Sequence, residues 1–129
     1  MAQIYPLFLL AVGGAAGALA RVGVAGAVQR WHGGPWPLGT FAVNALGCLL
    51  FGLIAGAATA SGRWSPAVTV ALLGGFCGGL TTFSTFAHDL HRMTTAGGLL
   101  QAGGVMAAHV VAGVLLMVAG LWAGGRLAG

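Results

Sequence analysis

The sequence predicts an all-α integral membrane protein with four transmembrane helices, and composition and charge spacing are the observations behind this prediction. Of 129 residues, 58% are hydrophobic and 5% are charged, and the mean hydropathy is +0.96. These values lie outside the usual range of soluble domains. Three long charge-free intervals follow an apolar N-terminal run, and a span needs only about 20 apolar residues. We therefore expect residues 1–129 to form a single four-helix transmembrane domain, with spans at about 4–27, 38–60, 66–93 and 98–123.

Composition and charge also exclude several classes of protein. The net charge of +4 comes from basic residues scattered along the chain, whereas a nucleic-acid surface requires clustered ones, so we expect no nucleic-acid partner. Cys48 and Cys77 fall in apolar spans, where free Cys behaves as a small buried hydrophobe, and they indicate neither a disulfide framework nor a metal site. The N-terminus lacks the positively charged region of a signal peptide, and we expect span 1 to be retained.

Span 1 is rich in glycine and contains one charge. Gly13 and Gly17 have the Gly-x-x-x-Gly spacing that lets two helix backbones approach closely, and we interpret them as a packing face. Arg21 lies within the hydrophobic run, where an unpaired cation costs roughly 2.5 to 3.5 kcal/mol unless it snorkels or faces water. Two interpretations of Arg21 remain open: snorkelling to the interface, or attraction of anions at the mouth of a pore.

The first connection and span 2 carry interfacial and polar signals. Trp31 and Trp36 flank turn-forming residues and are typical of the headgroup layer. Thr40 and Asn44 lie four residues apart, on one face of span 2. An Asn amide in hydrocarbon needs partners, so Asn44 either joins helices by a hydrogen bond or binds a desolvated anion. Farther along the span, Gly52-x-x-x-Gly56 repeats the packing motif.

Span 3 is the stretch around which the chain is organised, and its sequence is wrong for a plain helix. Ser65 is an expected N-cap, with Pro66 at the first helical position. The segment from Gly74 to Phe86 then contains two glycine pairs, which weaken helical order, followed by four hydroxyl residues within five positions. Irregular backbone at membrane depth survives only where it is buried in protein or lines a wet cavity or ion site. We therefore expect a broken third helix, interrupted near residues 78–82, that carries the function.

Aromatic and ionisable side chains follow the expected interruption. Phe83 and Phe86 are three residues apart and project on nearly the same helix face, a spacing that is also typical of lipid-facing or core packing. Asp89 and Arg92 suggest a weak ion pair at a wet helix end, and we assign them no chemistry. Span 4 has one polar interruption, His109, which is either a neutral His hydrogen-bonded to a neighbouring helix or a functional group.

The distribution of Arg predicts how the chain inserts. With four spans, Arg63 and Arg126 lie on the side of both termini, Arg30 and Arg92 lie on the other, and Arg21 tilts the balance only slightly. An excess of Lys and Arg normally fixes orientation, so a chain without one can insert both ways and pair with its inverted copy. Four helices rich in small residues also cannot enclose a wide pore alone. We therefore expect an antiparallel, dual-topology homodimer.

Three motifs resemble those of one known family. They are GGAAGALAR from Gly13 to Arg21, GTFAVNALG from Gly39 to Gly47, and GGFCGGLTTFSTF from Gly74 to Phe86. On these motifs the chain resembles the Fluc (CrcB) fluoride channels over essentially its whole length. The resemblance implies no enzymatic activity but passive export of fluoride, which lowers cytoplasmic fluoride toxicity. It also implies a dual-topology homodimer with two antiparallel pores in the plasma membrane, the inner membrane of a bacterium.

The resemblance implies roles for particular residues as well. A structural sodium ion, which is not transported, would be held at the dimer centre by the backbone carbonyls of Gly78 and Thr81 from each subunit. Fluoride would meet the ring edges of Phe83 and Phe86, which carry the positive end of the quadrupole. Arg21 would lie in a vestibule that draws anions in. Hydrogen-bond donors along the pathway would come from Asn44, Thr40, Ser84 and Thr85.

Span 4 departs from the family pattern, and two other functions stay as alternatives. Family members carry small hydroxyl residues on the pore face of this span, where the present chain has Val105, His109 and Gly113, and a pore His would make conductance pH-sensitive. A small dual-topology proton-coupled multidrug exporter would need a membrane-embedded carboxylate, and Asp89 is the only acid. A non-conducting packing subunit would leave the Asn, hydroxyl and Phe residues unexplained.

Overall fold

Four long helical segments make up the fold. The computed structural model describes residues 4–129 and contains no strand within that range. Four segments are each long and apolar enough to cross a membrane, which confirms the predicted all-α fold with four spans. The helices are α1 (Ile4–His32), α2 (Leu38–Ser61), α3 (Pro66–Val70), a π-helical segment (Ala71–Cys77), α4 (Gly78–Leu80), α5 (Phe83–Thr95) and α6 (Leu99–Ala128).

The first helix extends beyond the span expected from hydropathy. α1 continues to His32 instead of ending near Ala27, so the connection to α2 is only residues 33–37. Gln29 organises this connection: its Nε2 donates to the carbonyls of Gly34 and Trp36 at 2.9 and 3.0 Å. Its Oε1 accepts from the first turn of α2 at 3.2 Å. A polar residue at the membrane boundary therefore fixes the loop that follows α1.

Glycines bring α2 and α6 into backbone contact. A Cβ atom at Gly52 or Gly56 would overlap a backbone carbonyl oxygen of α6, and one at Gly120 or Gly124 would overlap a carbonyl oxygen of α2. Lipid tails are as apolar as the side chains, so helices in a membrane associate through close packing, which small residues permit. The predicted packing role of Gly52-x-x-x-Gly56 is confirmed.

α1 packs against the first half of the third span in the same way. A Cβ atom at Gly13 would overlap the Ala71 carbonyl oxygen, and one at Gly17 would overlap that of Phe76. In return, a Cβ at Gly79 would press on the α1 backbone. The predicted packing face on span 1 is confirmed, and the third span is thereby held against α1 along its first half.

The third span is helical in separate pieces. Ser65 caps its start, where Oγ accepts from the Val68 amide at 3.3 Å and Pro66 takes the first helical position, as predicted. The π-helical segment that follows is a form found mostly as single turns, frequently at functional sites. Between α4 and α5 the backbones of Thr81 (ψ 157°) and Thr82 (φ −149°, ψ 108°) are extended. Polar groups around these two residues must find partners outside the helix, and this requirement builds the site.

Candidate functional site

Asn44 of α2 binds both backbone groups of Thr82. Its Nδ2 donates to the Thr82 carbonyl oxygen at 3.2 Å, and its Oδ1 accepts from the Thr82 amide at 2.7 Å. A carboxamide suits this position because it carries donors and an acceptor side by side. It can therefore pair with the amide and the carbonyl of one residue, as the backbone of a neighbouring β-strand does. The interpretation that Asn44 joins helices is confirmed. One Nδ2 hydrogen remains for a further acceptor.

Gly47 allows the extended segment to lie against α2. A Cβ atom at Gly47 would overlap the methyl carbon of Thr81, so the absence of a side chain creates the space that this methyl group fills. The Thr81 hydroxyl donates to the Cys77 carbonyl at 3.0 Å, which holds the side chain to the end of the helix before it. The extended segment is therefore fixed to α2 by one amide pair and one packed methyl group.

The extended segment releases backbone carbonyls. In a continuous helix the Thr82 amide would donate to the Gly78 carbonyl, but here it donates to Asn44, so that carbonyl loses its helical partner. The Thr81 carbonyl oxygen accepts from Nη1 of Arg21 at 3.4 Å. Arg21 is half-buried and contacts the extended segment, a partner that neither of its two interpretations included. Gly78 is exposed on the single chain, where a Cβ atom would meet nothing closer than 3.9 Å.

Three hydroxyl groups gather at the start of α5. Thr82 Oγ1 accepts from the Thr85 amide at 3.2 Å, which makes Thr82 the N-cap, and it donates to Thr85 Oγ1 at 2.9 Å. Ser84 Oγ lies 3.4 Å from the same Thr82 oxygen. Thr82 is buried, whereas Ser84 and Thr85 are exposed on the surface of the chain. The predicted donors Ser84 and Thr85 therefore lie beside Thr82, the residue that Asn44 binds, and are exposed on the surface of the chain.

Aromatic rings form a row that ends at His109. The ring centroids of Phe83 and Phe86 are 5.8 Å apart at an interplanar angle of 58°. The ring centroids of Phe86 and His109 are 4.3 Å apart. The Phe41 ring meets the His109 ring edge-on, at a centroid distance of 5.1 Å. Phe86 is 9% exposed, but Phe83 is 79% exposed. Phe83 and Phe86 thus share a face, as predicted, while only one of them is buried within the chain.

Thr40 donates a hydrogen bond to Asp89, a residue to which the sequence pattern assigned no chemistry. Its Oγ1 donates to Asp89 Oδ2 at 2.7 Å, across 49 residues of sequence. The expectation that Asp89 would face Arg92 as a weak ion pair is therefore corrected: the carboxylate is held by a buried hydroxyl on α2, while Arg92 is exposed. A hydroxyl has one proton to donate, so Thr40 has none left for an anion in this arrangement.

A cavity of about 310 Å³ between α2, α5 and α6 collects part of the predicted site, namely Asn44, Thr81, Phe83, Phe86 and His109. Thr40 lines another cavity, of about 410 Å³, together with Asp89. Gly78 lines a third, of about 210 Å³, which it shares with the Thr81 side of the extended segment. Ser84 and Thr85 lie on the surface of the chain. The predicted residues are thus divided among three cavities and the surface of the chain.

Sequence reasoning missed two participants. Phe41 reads as part of an apolar run, although its place between Thr40 and Asn44 gave a signal that it belongs to the same motif. Asp89 reads as a helix-end charge, because no local pattern relates it to a threonine so far away in the sequence. The packing of α6 and α5 against α2 identifies both residues.

Comparisons with known proteins agree with this architecture. The family profile described as "CrcB-like protein, Camphor Resistance (CrcB)" matches residues 8–121. A "Fluoride-specific ion channel FluC" of Nitratidesulfovibrio vulgaris is 45% identical over 126 residues, covering 94% of this chain and 97% of the relative. "Fluoride-specific ion channel FluC 1" of Streptomyces avermitilis is 42% identical over 116 residues, covering 89% and 93%. Another "Fluoride-specific ion channel FluC", of Chloroflexus aurantiacus, is 38% identical over 123 residues, covering 92% of this chain and 98% of the relative.

The match extends over nearly all of the four spans, including the extended segment and the helices that hold it. Four segments able to cross a bilayer and the family match together make this a multi-pass protein of the plasma membrane. The chain belongs to the CrcB-like (CrcB) family.

Proposed function

We propose that this chain is a fluoride-selective channel that lets fluoride leave the cell passively across the plasma membrane and so lowers cytoplasmic fluoride toxicity. The names of relatives that match nearly the whole chain support this function. The observation that carries it is the cavity at the extended segment, where an amide donor and two phenylalanine rings meet without a carboxylate. Neutral donors and ring edges attract an anion without trapping it, which conduction requires.

The proposed pathway uses groups whose hydrogen-bonding capacity is not exhausted. Asn44 keeps one Nδ2 hydrogen after binding Thr82, and the Ser84 and Thr85 hydroxyls are accessible. Phe83 and Phe86 would present ring edges between these donors. Thr40 would offer its proton to fluoride only after its bond to Asp89 breaks.

The pathway would be completed by a second, inverted copy of the chain. Ser84 and Thr85 are exposed within a membrane span, and so is most of the Phe83 ring, whereas hydroxyls in hydrocarbon need partners. A partner covering this face would enclose the pathway, and the balanced Arg distribution favours an antiparallel homodimer with two pores. Fusion of green fluorescent protein and of alkaline phosphatase to the C-terminus tests this: both reporters should be active, and activity of only one contradicts dual topology.

A structural sodium ion would join the two copies. Carbonyl oxygens are hard ligands that suit such a cation, and the Gly78 carbonyl has lost its helical partner. The Thr81 carbonyl oxygen accepts one hydrogen bond from Arg21 and keeps its second lone pair. Gly78 and Thr81 of each subunit therefore fit the role of holding the ion, whose contribution would be to bind the two subunits together without being transported.

Arg21 would supply positive potential beside the pathway. Its guanidinium lies at the Thr81 carbonyl, next to the cavity that contains Asn44 and Phe83. A cation in a low-dielectric setting attracts anions over several ångströms, which is the property of a vestibule.

Two other functions fit less well. A proton-coupled multidrug exporter needs a carboxylate deep in the membrane, but Asp89 is the only acid and its partner Thr40 is the third residue of α2, near the end of that helix. A non-conducting packing subunit would account for the glycine contacts. It leaves the aromatic row and the exposed hydroxyl groups at the start of α5 without a purpose.

Ion efflux from liposomes that contain only the purified chain tests the proposal. Fluoride efflux should greatly exceed that of protein-free liposomes, and chloride efflux measured in the same way should stay near the background. It should also need no proton gradient. Fluoride efflux equal to the background would contradict channel function, and equal fluxes of the two anions would contradict selectivity.

A further inference from the structure

His109 lies between two cavities. On one side is the cavity of about 310 Å³ that contains Asn44 and Phe83. On the other side is an apolar cavity of about 200 Å³, which includes Trp36 of the connection between α1 and α2. His109 is in the lining of both, and Phe41 and Phe86 restrain its ring at centroid distances of 5.1 and 4.3 Å. A particle moving from the first cavity to the second would pass this imidazole.

The contacts of His109 fix the position of its proton. Nδ1 lies 2.9 Å from the Val105 carbonyl oxygen, and a carbonyl only accepts hydrogen bonds, so Nδ1 carries a hydrogen. In the neutral ring Nε2 is therefore the unprotonated nitrogen, with its lone pair free. Nε2 is buried and has no hydrogen-bond partner among residues 4–129. A buried polar atom without a partner is uncommon and calls for an explanation.

Protonation would turn Nε2 from a hydrogen-bond acceptor into a hydrogen-bond donor. Neutral Nε2 presents a lone pair, which repels an anion, whereas protonated Nε2 presents a charged N–H donor, which attracts one. The Phe86 face, 4.3 Å from the imidazole, is placed to stabilise the imidazolium through a cation–π contact.

We propose that His109 Nε2 is a proton-dependent fluoride site, which repels fluoride when neutral and binds it when protonated, so that fluoride passes between the two cavities faster at acidic pH. This inference rests on the proposed channel function and assigns to it a regulation by protons.

Few other titratable groups face His109. From α2, Cys48 lines the same cavity, and from α5, Asp89 lies one turn beyond Phe86, where Thr40 holds its carboxylate. His88, His91 and Arg92 of α5 are exposed. A change in flux between pH 5.5 and 8 that disappears with His109 is therefore assigned to this imidazole.

Fluoride efflux from liposomes with the same pH on both sides tests the proposal. After subtraction of the leak of protein-free liposomes, efflux should rise about tenfold from pH 8 to pH 5.5, the effect of one charged hydrogen bond. His109→Gln replaces the imidazole by a pH-independent amide and should give nearly constant efflux. His91→Gln, on an exposed surface, should keep the profile of the unmodified chain.

Two outcomes of this experiment overturn the inference. Either efflux of the unmodified chain is constant with pH, or His109→Gln keeps the pH dependence. Either result leaves the channel function intact, whereas absence of fluoride efflux at every pH would overturn the channel function and the inference together.

A second measurement does not depend on folding of the variant. In ¹⁵N spectra of the unmodified chain, His109 should show the Nδ1–H tautomer at pH 8, and its Nε2 signal at pH 5.5 should differ between fluoride and chloride. Identical Nε2 signals in the two salts at pH 5.5, or an Nε2–H tautomer at pH 8, would overturn the proposal.

Discussion

Asn44 is engaged with backbone before any ion arrives. Its amide satisfies both polar groups of Thr82, and this pairing keeps the chain extended where a helix would otherwise continue. The same side chain retains one hydrogen that makes no hydrogen bond within residues 4–129, so the two roles that the sequence left open are compatible in a single residue. A substitution at this position therefore changes both the shape of the segment and the donors of the cavity.

Asn44→Asp should abolish fluoride efflux. A carboxylate can accept from the Thr82 amide but cannot donate to the Thr82 carbonyl, which would then lie about as close as the present 3.2 Å contact to a negative oxygen. It would also place a negative charge in an anion pathway. Liposome efflux should fall to background, and the thermal stability of the purified protein should fall as well, because a buried acceptor pair is left unsatisfied. Efflux within a factor of two of the unmodified chain would contradict the assignment.

Phe83→Ile should abolish fluoride efflux without unfolding the chain. The ring is 79% exposed, so its removal costs the single chain little packing, but it removes the ring edge that faces the proposed pathway. Phe8→Ile is the matched control, because Phe8 of α1 is also exposed, at 63%. Efflux should be lost in the first variant and kept in the second. Equal efflux in both variants would show that Phe83 serves only as a lipid-facing side chain.

Two glycine-packed contacts hold the helices at the distances that the site requires. Along α2, Gly52 and Gly56 lie on α6, while Gly47 makes room for the Thr81 methyl group. Glycines of α2 thus allow both the close packing of α6 and the position of the extended segment against α2. The geometry of the site therefore depends on helix packing at some distance from any ion.

Gly124→Ala should destabilise the protein, and Gly125→Ala should not. A Cβ at Gly124 would overlap the Leu53 carbonyl oxygen on α2, whereas a Cβ at Gly125 would meet nothing within 4 Å. Overpacking of this kind costs about 1 to 3 kcal/mol. Unfolding in detergent, followed by helix content, should show the difference between these neighbouring residues. Equal stability of the two variants would contradict the backbone contact between α2 and α6.

Local sequence patterns predicted the helices, a helix cap and the glycine packing faces. The contacts between residues far apart in the sequence depend on tertiary packing. Glycine spacing and the Ser65 cap follow from rules that act within one helix, and both were confirmed. The bond between Thr40 and Asp89 joins residues 49 apart, so no local pattern could indicate it. α1 also continues past the span expected from hydropathy, to His32, and Gln29 bonds the loop that follows it, a contact that no pattern within one helix indicates.

The single chain presents surfaces that a bilayer alone does not satisfy. Gly78 is exposed in the middle of the third span, beside the extended backbone, and hydroxyl groups are exposed at the start of α5. The expected placement of two Arg on each side of the membrane, with Arg21 tilting the balance only slightly, predicts no strong preference for one orientation. Exposed polar groups and absent topological bias lead to the same expectation, a second copy that is inverted relative to the first.

Gly78→Leu should separate the proposed dimer while each chain stays folded. A Cβ at Gly78 would meet only the Leu73 carbonyl oxygen, at 3.9 Å, so a side chain fits the single chain but would occupy the space where the partner approaches. Gly103→Leu is the matched control, because Gly103 is exposed on α6 with nothing within 4 Å of a Cβ. Light scattering of the purified proteins in detergent should give half the mass for Gly78→Leu and the dimer mass for Gly103→Leu. A dimer mass for both variants would exclude Gly78 from the interface, and with it the sodium site that two such glycines would share.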